Sequence, residues 1–264
     1  MRIYYLNNYQ LFFTTIFIYS LFLIFVMPNQ AKQKFKVYKN VFDNFTLRNL
    51  FKLAGQNYFD ELKSPISIGK ESNIFSATTK DNSVVIIKIY RLENCNFNKM
   101  YDYIKMDPRF PGMKRQRRKI IFSWTQREYR NLLKAREVID VPIPMAFASN
   151  IIVMEFIGNK EKEEVAPQLK DKKPKKPEDF FKKTIASVDK LYKAGLVHGD
   201  LSQFNILNYN EKPVFIDFSQ ATTTENMEAG HLLKRDIKNV CNFFEKFNVK
   251  SDAEEIYQKI IKIK

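Results

Sequence analysis

Between Leu196 and Leu207 the chain reads LVHGDLSQFNIL, and shortly afterwards VFIDFSQ runs from Val214 to Gln220. Asp200 and Asn205 sit five residues apart on what reads as one loop, and Asp217 follows a short apolar strand. Three polar groups from two segments can converge only if short strands hold the loop open, and this restricts the fold more than any other feature of the sequence. The trio suits phosphoryl transfer: Asp200 can accept a hydroxyl proton, while the amide oxygen of Asn205 and the carboxylate of Asp217 can hold magnesium against phosphates. An Asp and an Asn also cap turns beside strands. It is the complete set, in this order, that favours chemistry.

A second constraint comes from Lys88, which stands inside the apolar run VVIIKIY. Burying an ammonium without a partner costs several kcal/mol. Glu128, in the helical stretch REYRNL, is the better candidate partner and Glu137 the lesser one; a snorkelling lysine on an edge strand is the plainer alternative. Ahead of it lies a turn from Ser67 to Ser72, with Gly69, Lys70 and Glu71 at its centre. It has neither GxGxxG nor a Walker A pattern. Its small residues and free amides could still lie over phosphates, with Ser72 or Lys70 adding contacts, although a plain hairpin turn fits as well. Met154 to Gly158 ends a buried strand where a two-lobed nucleotide site would present backbone groups to a purine. His198 is expected to steady the Asp200 loop rather than bind metal.

The rest of the chain reads coarsely. Its 264 residues suit one mid-sized domain or two small lobes. With 45% hydrophobic residues it can bury a core, and no fixed-period repeat is present. Lys plus Arg exceeds Asp plus Glu by 44 to 29, a net charge of +15 that favours a polyanionic partner. Cys95 and Cys241 are far apart and form no CxxC or Cys/His cluster, so neither a disulfide framework nor a zinc site is supported. Helical spacing runs over Val41 to Leu62, with Thr46 as cap and Gly55 as stop, over Ile120 to Val138, over Phe180 to Ala194, and from Leu232 onward. Ile66 to Ala77 and Ser83 to Tyr90 read as a hairpin, and Ile151 to Ile157 as a buried strand. Residues 95–119 read as a mobile basic loop, in which Tyr101, Tyr103 and Phe110 between the cations would suit stacking on RNA. The charged segment 159–178 is the expected lobe boundary, separating an N-terminal lobe (35–158) from a C-terminal one (159–264).

Residues 1–30 form a separate hydrophobic segment. The uncharged run Leu11 to Met27 is at the lower limit for spanning a bilayer. It fits a membrane anchor, or an upstream extension preceding a start at Met27. A cleaved signal peptide or a buried helix fits less well. Lys32, Lys34, Lys36 and Lys39 would keep the remainder in the cytoplasm if the run were inserted.

Taken together, SIGKESNIFSA, VVIIKIYR, YIKMDPRF, WTQREYRNL, VMEFIG, LVHGDLSQFNIL, IDFSQA and KRDIKNVCNFF, in this order, resemble the RIO-type atypical serine/threonine protein kinases, in particular the Rio one subfamily in its archaeal-like minimal form. The resemblance covers about residues 35 to 250. It implies an α+β, two-lobed protein-kinase-like fold with a reduced C-terminal lobe. It implies ATP and Mg2+ as cofactors, Asp200 as catalytic, Asn205 and Asp217 as metal ligands, and Lys88 with Glu128 on the nucleotide. It further implies that Ser67, Gly69, Lys70, Glu71 and Ser72 form the phosphate loop, and that the backbone of Glu155 and Ile157 meets adenine. It implies a role in maturing the small ribosomal subunit, with the precursor particle, its rRNA and its proteins as partners, and an ATPase mode in which Asp217 transiently accepts phosphate. The chain departs from the family's pattern at Ile68, where Thr is usual, and at Met106, where Gly is. After Asp217, 47 residues follow with no Ala-Pro-Glu motif, so a conventional peptide-docking platform is not expected. The competing reading is a catalytically silent, RNA-binding scaffold of kinase fold. Small-molecule phosphotransferases share the HGD and later Asp, but call for a larger substrate lobe.

Overall fold

The computed structural model describes residues 42–262 except Asn94 and Pro108. The Leu11–Met27 run lies outside them, and no helix among the described residues is long and apolar enough to cross a membrane. The chain divides after Phe51 into two compact units. Helix α1 (Asn44–Gly55) opens in the first of these. Its cap is Asp43 rather than Thr46: the Asp43 carboxylate accepts from the backbone N–H groups of Phe45 and Thr46 at 2.9 and 3.0 Å. Thr46 lies inside the first turn and gives its hydroxyl to the same carboxylate. The helix ends at Gly55, as its spacing predicts.

The second unit holds residues 52–264, so the boundary falls at Phe51 inside the stretch expected as the N-terminal lobe (35–158). Its first part is an antiparallel sheet of β1 (Glu61–Ile68), β2 (Ser72–Thr78), β3 (Val84–Tyr90), β4 (Pro144–Ala148) and β5 (Ile151–Glu155), in the order β1-β2-β3-β5-β4. The strand expected over Ile66 to Ala77 is therefore two strands, broken at Gly69-Lys70-Glu71. Gly69 N donates to Ser72 O at 2.9 Å, and a Cβ on Gly69 would lie 2.9 Å from that same oxygen. The turn is too tight for a side chain there. Every residue of β3 is buried, which explains its unbroken apolar run.

The segment read as a basic loop carries a helix, α2 (Phe97–Lys105), before α3 (Arg117–Ala135) begins. Asn96 caps α2 by accepting from Lys99 N at 3.1 Å, and Met100 and Ile104, four residues apart, form its buried face. Two of the rings expected to stack on RNA are used internally instead. Phe110 is buried, and Tyr103 packs edge-on against Trp124 with centroids 5.9 Å apart. The cations Lys99, Lys105, Lys114, Arg115, Arg117, Arg118 and Lys119 remain exposed.

In the second half, β6 (Gly158–Asn159) and β7 (Glu164–Val165) pair inside the segment expected to be a linker, and Gln168 bridges to Leu207. Helix α4 (Pro177–Lys193) begins with proline at its first position and stops before Gly195, whose φ of 77° suits glycine. Strand β8 (Leu196–Val197) pairs with β11 (Thr222–Thr223), and β9 (Ile206–Tyr209) with β10 (Lys212–Phe215). Helices α5 (Ala229–Glu245) and α6 (Ala253–Ile261) follow. One continuous hydrophobic core runs from Ile86 and Met154 through Trp124 to Phe215, Phe218, Ile237 and Phe244. The small sheets β8/β11 and β9/β10 contribute Leu196, Val197, Ile206 and Phe215 to this core, so their loops emerge on a rigid base.

Candidate active site

Strand β3 carries Lys88 inward to meet Glu128 of α3. Nζ donates to Glu128 Oε1 at 2.7 Å and to Asp217 Oδ1 at 3.0 Å. Glu128, not Glu137, is thus the partner, and Tyr90, two residues along the strand, gives its hydroxyl to the other oxygen of Glu128. Burial alone would pull the Lys88 ammonium down, but the two carboxylates outweigh it and raise it above its ordinary value. Burial pushes Glu128 up, opposed by Lys88. Asp217 would likewise be raised by burial, yet Lys88 and a Ser219 hydrogen bond hold it down at about 2. One cation therefore keeps Asp217 ionised at neutral pH.

Asp217 has φ 61°, a left-handed conformation unusual for a residue with a side chain. The facing loop is also tightly held. His198 Nε2 donates to Ile216 O at 3.1 Å, and its Nδ1 accepts from Asp200 N at 3.3 Å. His198 thus ties the Asp200 loop to the strand end that bears Asp217, as its position predicts. Asn205 Nδ2 donates to Asp200 O at 2.8 Å, which turns the amide so that Oδ1 remains as an acceptor. The Asp200 carboxylate is raised by burial and by the charge of Asp217, and its Oδ2 accepts from Gln220 Nε2 at 2.9 Å.

The sequence reading missed five groups. Asp236 of α5 reaches under the loop and accepts from Gly199 N at 2.7 Å and Leu201 N at 2.9 Å. Arg235 donates to Gly199 O, and Asn239 to Leu201 O at 3.1 Å. Tyr90 and Gln220 are the others. The only signal for Asp236 was an Asp on the apolar face of a helix, between Leu233 and Ile237, a position that asks for a buried partner.

A cavity of about 560 Å³ gathers Ser67, Gly69, Ser72, Lys88, Glu128, Glu155, Ile157, Asn205 and Asp217 on its walls. That is ample for a nucleotide. Lys70, Glu71 and Asp200 are not part of its lining, and Ile68 is 71% exposed. Ile74, Ile86, Met154, Leu207 and Ile216 supply an apolar side. Glu155 N donates to Ile143 O at 2.9 Å and its carboxylate accepts from Ile143 N. Ile157 O accepts from Ala166 N at 2.9 Å, leaving the Ile157 N–H. A second cavity of about 570 Å³, beside β6 and β7, holds none of the ionised groups just described. The donors fit magnesium: Asn205 Oδ1 and the Asp217 carboxylate are hard oxygens. Among the described residues no cluster of three or more His, Cys, Asp or Glu completes a protein-only cage. A two-ligand shell finished by phosphate oxygens and water is what magnesium accepts.

Phosphoryl transfer asks a protein mainly for positioning and for fixed charge around the phosphates. A clamped Asp200 loop opposite a lysine-held carboxylate, in a cleft between a five-stranded sheet and a helical half, defines a protein-kinase-like phosphotransferase. The RIO domain family model matches residues 73–257. The chain is 41% identical to the RIO-type serine/threonine-protein kinase Rio1 of Methanocaldococcus jannaschii over 85% of this chain and 77% of that one. It is 34% identical to Rio1 of Haloferax volcanii, over 89% and 80%. The human serine/threonine-protein kinase RIO1 is 32% identical over 80% of this chain but 38% of its own length. The Rio2 kinase of Chaetomium thermophilum, solved as an ADP/Mg2+-phosphoaspartate complex, superposes with a TM-score of 0.61 at 22% identity, covering 80% of this chain and 64% of the other. This chain belongs to the RIO-type serine/threonine-protein kinase family.

Proposed function

We propose that the chain binds ATP with magnesium, transfers the γ-phosphoryl group to protein hydroxyls and to itself, and hydrolyses ATP during maturation of the small ribosomal subunit. The observation that carries this reading is Lys88 Nζ lying between Glu128 and Asp217 at 2.7 and 3.0 Å, on the wall of a nucleotide-sized cavity. In this reading the Glu155 carbonyl and the Ile157 N–H meet adenine, the turn from Ser67 to Ser72 covers the phosphates, and Lys88 orients them. Asn205 and Asp217 hold magnesium, which when bound neutralises charge on the β- and γ-phosphates. Asp200 takes the proton of the attacking hydroxyl, and its raised carboxyl suits a base. The phosphoaspartate of the Rio2 complex supports Asp217 as a transient acceptor in the ATPase mode. Its net charge of +15 and the exposed cations around α2 support a particle rich in RNA as partner.

The test is single-turnover hydrolysis of γ-labelled ATP by the full chain with magnesium, with and without small-subunit precursor particles. ADP should form together with a hydroxylamine-labile phosphoenzyme, and Asp217→Asn should abolish both. Particle binding without turnover in either condition would replace this reading with the silent scaffold.

A further inference from the structure

Four polar residues that phosphoryl transfer leaves unused lie behind Asp217. Asp107, between α2 and α3, is buried, and Arg127 and Asn131 of α3 are completely so. Arg109 grips Asp107 through two bonds, Nε to Oδ1 at 2.8 Å and a terminal nitrogen to Oδ2 at 2.6 Å, and donates to Asn131 Oδ1 at 2.9 Å. Arg127 Nε donates to Asp107 Oδ2 at 3.0 Å. On their other side Arg127 and Asn131 hydrogen-bond to backbone carbonyls, while the Arg127 guanidinium also lies over the Trp124 and Tyr103 rings at 5.4 and 5.6 Å. Asn131 Nδ2 donates to Phe218 O at 3.0 Å and to Ala221 O at 2.8 Å. Arg127 reaches Ser219 O at 3.4 Å and Gln220 O at 3.5 Å.

Those four carbonyls belong to the four residues that follow Asp217. A left-handed Asp217 persists only where its surroundings over-determine it, and this segment is fixed carbonyl by carbonyl. None of the four side chains lines the cavity, so none is placed to touch nucleotide. Packing alone does not explain them, because apolar residues of similar volume fill a core at least as well as a buried ion pair. What polar groups add is a fixed orientation of the backbone they bind.

We propose that Asp107, Arg109, Arg127 and Asn131 form a strut of positioning residues that sets the Asp217 carboxylate for magnesium. The segment between α2 and α3 then becomes a working part of the site, reaching it from behind through α3. This inference rests on Asp217 being a metal ligand.

Nucleotide binding tests it without turnover. ADP affinity is measured in EDTA, and then ADP binding is followed as magnesium is raised. Asn131→Leu should raise the half-saturating magnesium concentration by about tenfold, within the range seen for lost outer-sphere support. Arg109→Lys, at the partly exposed rim, should raise it by at least about threefold. ADP affinity in EDTA should stay within about twofold for both, which a general loss of structure would not allow. If Asn131→Leu does not fold, Arg109→Lys decides. A magnesium requirement within about twofold of wild type in the folded variants, while Asp217→Asn shifts it strongly, overturns the strut alone. An unshifted Asp217→Asn removes the metal reading of Asp217 and the strut with it.

Discussion

At the scale of single residues, hydrogen-bond partners assign protonation states. Ile216 O can only accept and Asp200 N–H can only donate, so His198 must be the neutral tautomer with its proton on Nε2. Burial agrees, lowering His198 from 6.5 to about 4. A depressed folded-state value means that the stabilisation is present above pH 6.5 and lost as pH falls through about 4. The window is worth on the order of 3 kcal/mol. Urea unfolding of wild type and His198→Asn across pH 7 to 4 should therefore converge, wild type losing on the order of 3 kcal/mol more than the variant. A constant difference across that range would show that His198 does not titrate against Asp200 N–H.

At the scale of elements, the Asp200 loop is stapled to α5. A carboxylate has two oxygens and no proton, and at Asp236 both are used, one on Gly199 N and one on Leu201 N. Burial raises its carboxyl to about 7, against the pull of these two N–H groups. Asparagine keeps one acceptor and turns an NH2 toward the other N–H. Asp236→Asn should thus destabilise the protein by about 2 to 4 kcal/mol and cut turnover by more than nucleotide affinity, since the cavity walls are untouched. Denaturant melts and ADP titration check the two halves. Gly199 reinforces the clamp: its φ is 75°, and an added Cβ would sit 3.0 Å from Gln220 O.

At the scale of the whole molecule, Lys88, Glu128 and Asp217 join a sheet strand, a helix and the hairpin half through one buried ammonium. Removing one member of such a set leaves charge uncompensated in the interior. Lys88→Met should cost about 3 to 5 kcal/mol, whereas the double variant Lys88→Met/Glu128→Leu should cost less than the sum of the single changes. A denaturation cycle measures this; strict additivity would mean that the pair does not couple the elements. The same continuous core that supports the triad also explains why residues 52–264 form one compact unit, although the site lies in a cleft within it.

Local chemistry and spacing determined much of this protein. The apolar run around Lys88 demanded a partner for its ammonium, the short spacing from Asp200 to Asn205 put both on one loop, and Gly55, Gly195 and the β3 run marked their elements, because each of these signals is read from neighbours in sequence. Tertiary structure alone decided the rest. That Asp236, Gln220 and Tyr90 serve the site, that Phe110 and Tyr103 turn into the core, and that Asp107 stands behind Asp217 all depend on which distant groups burial leaves needing a partner. A hydrogen-bond requirement is visible in a sequence, but the group that satisfies it is chosen only when the chain closes.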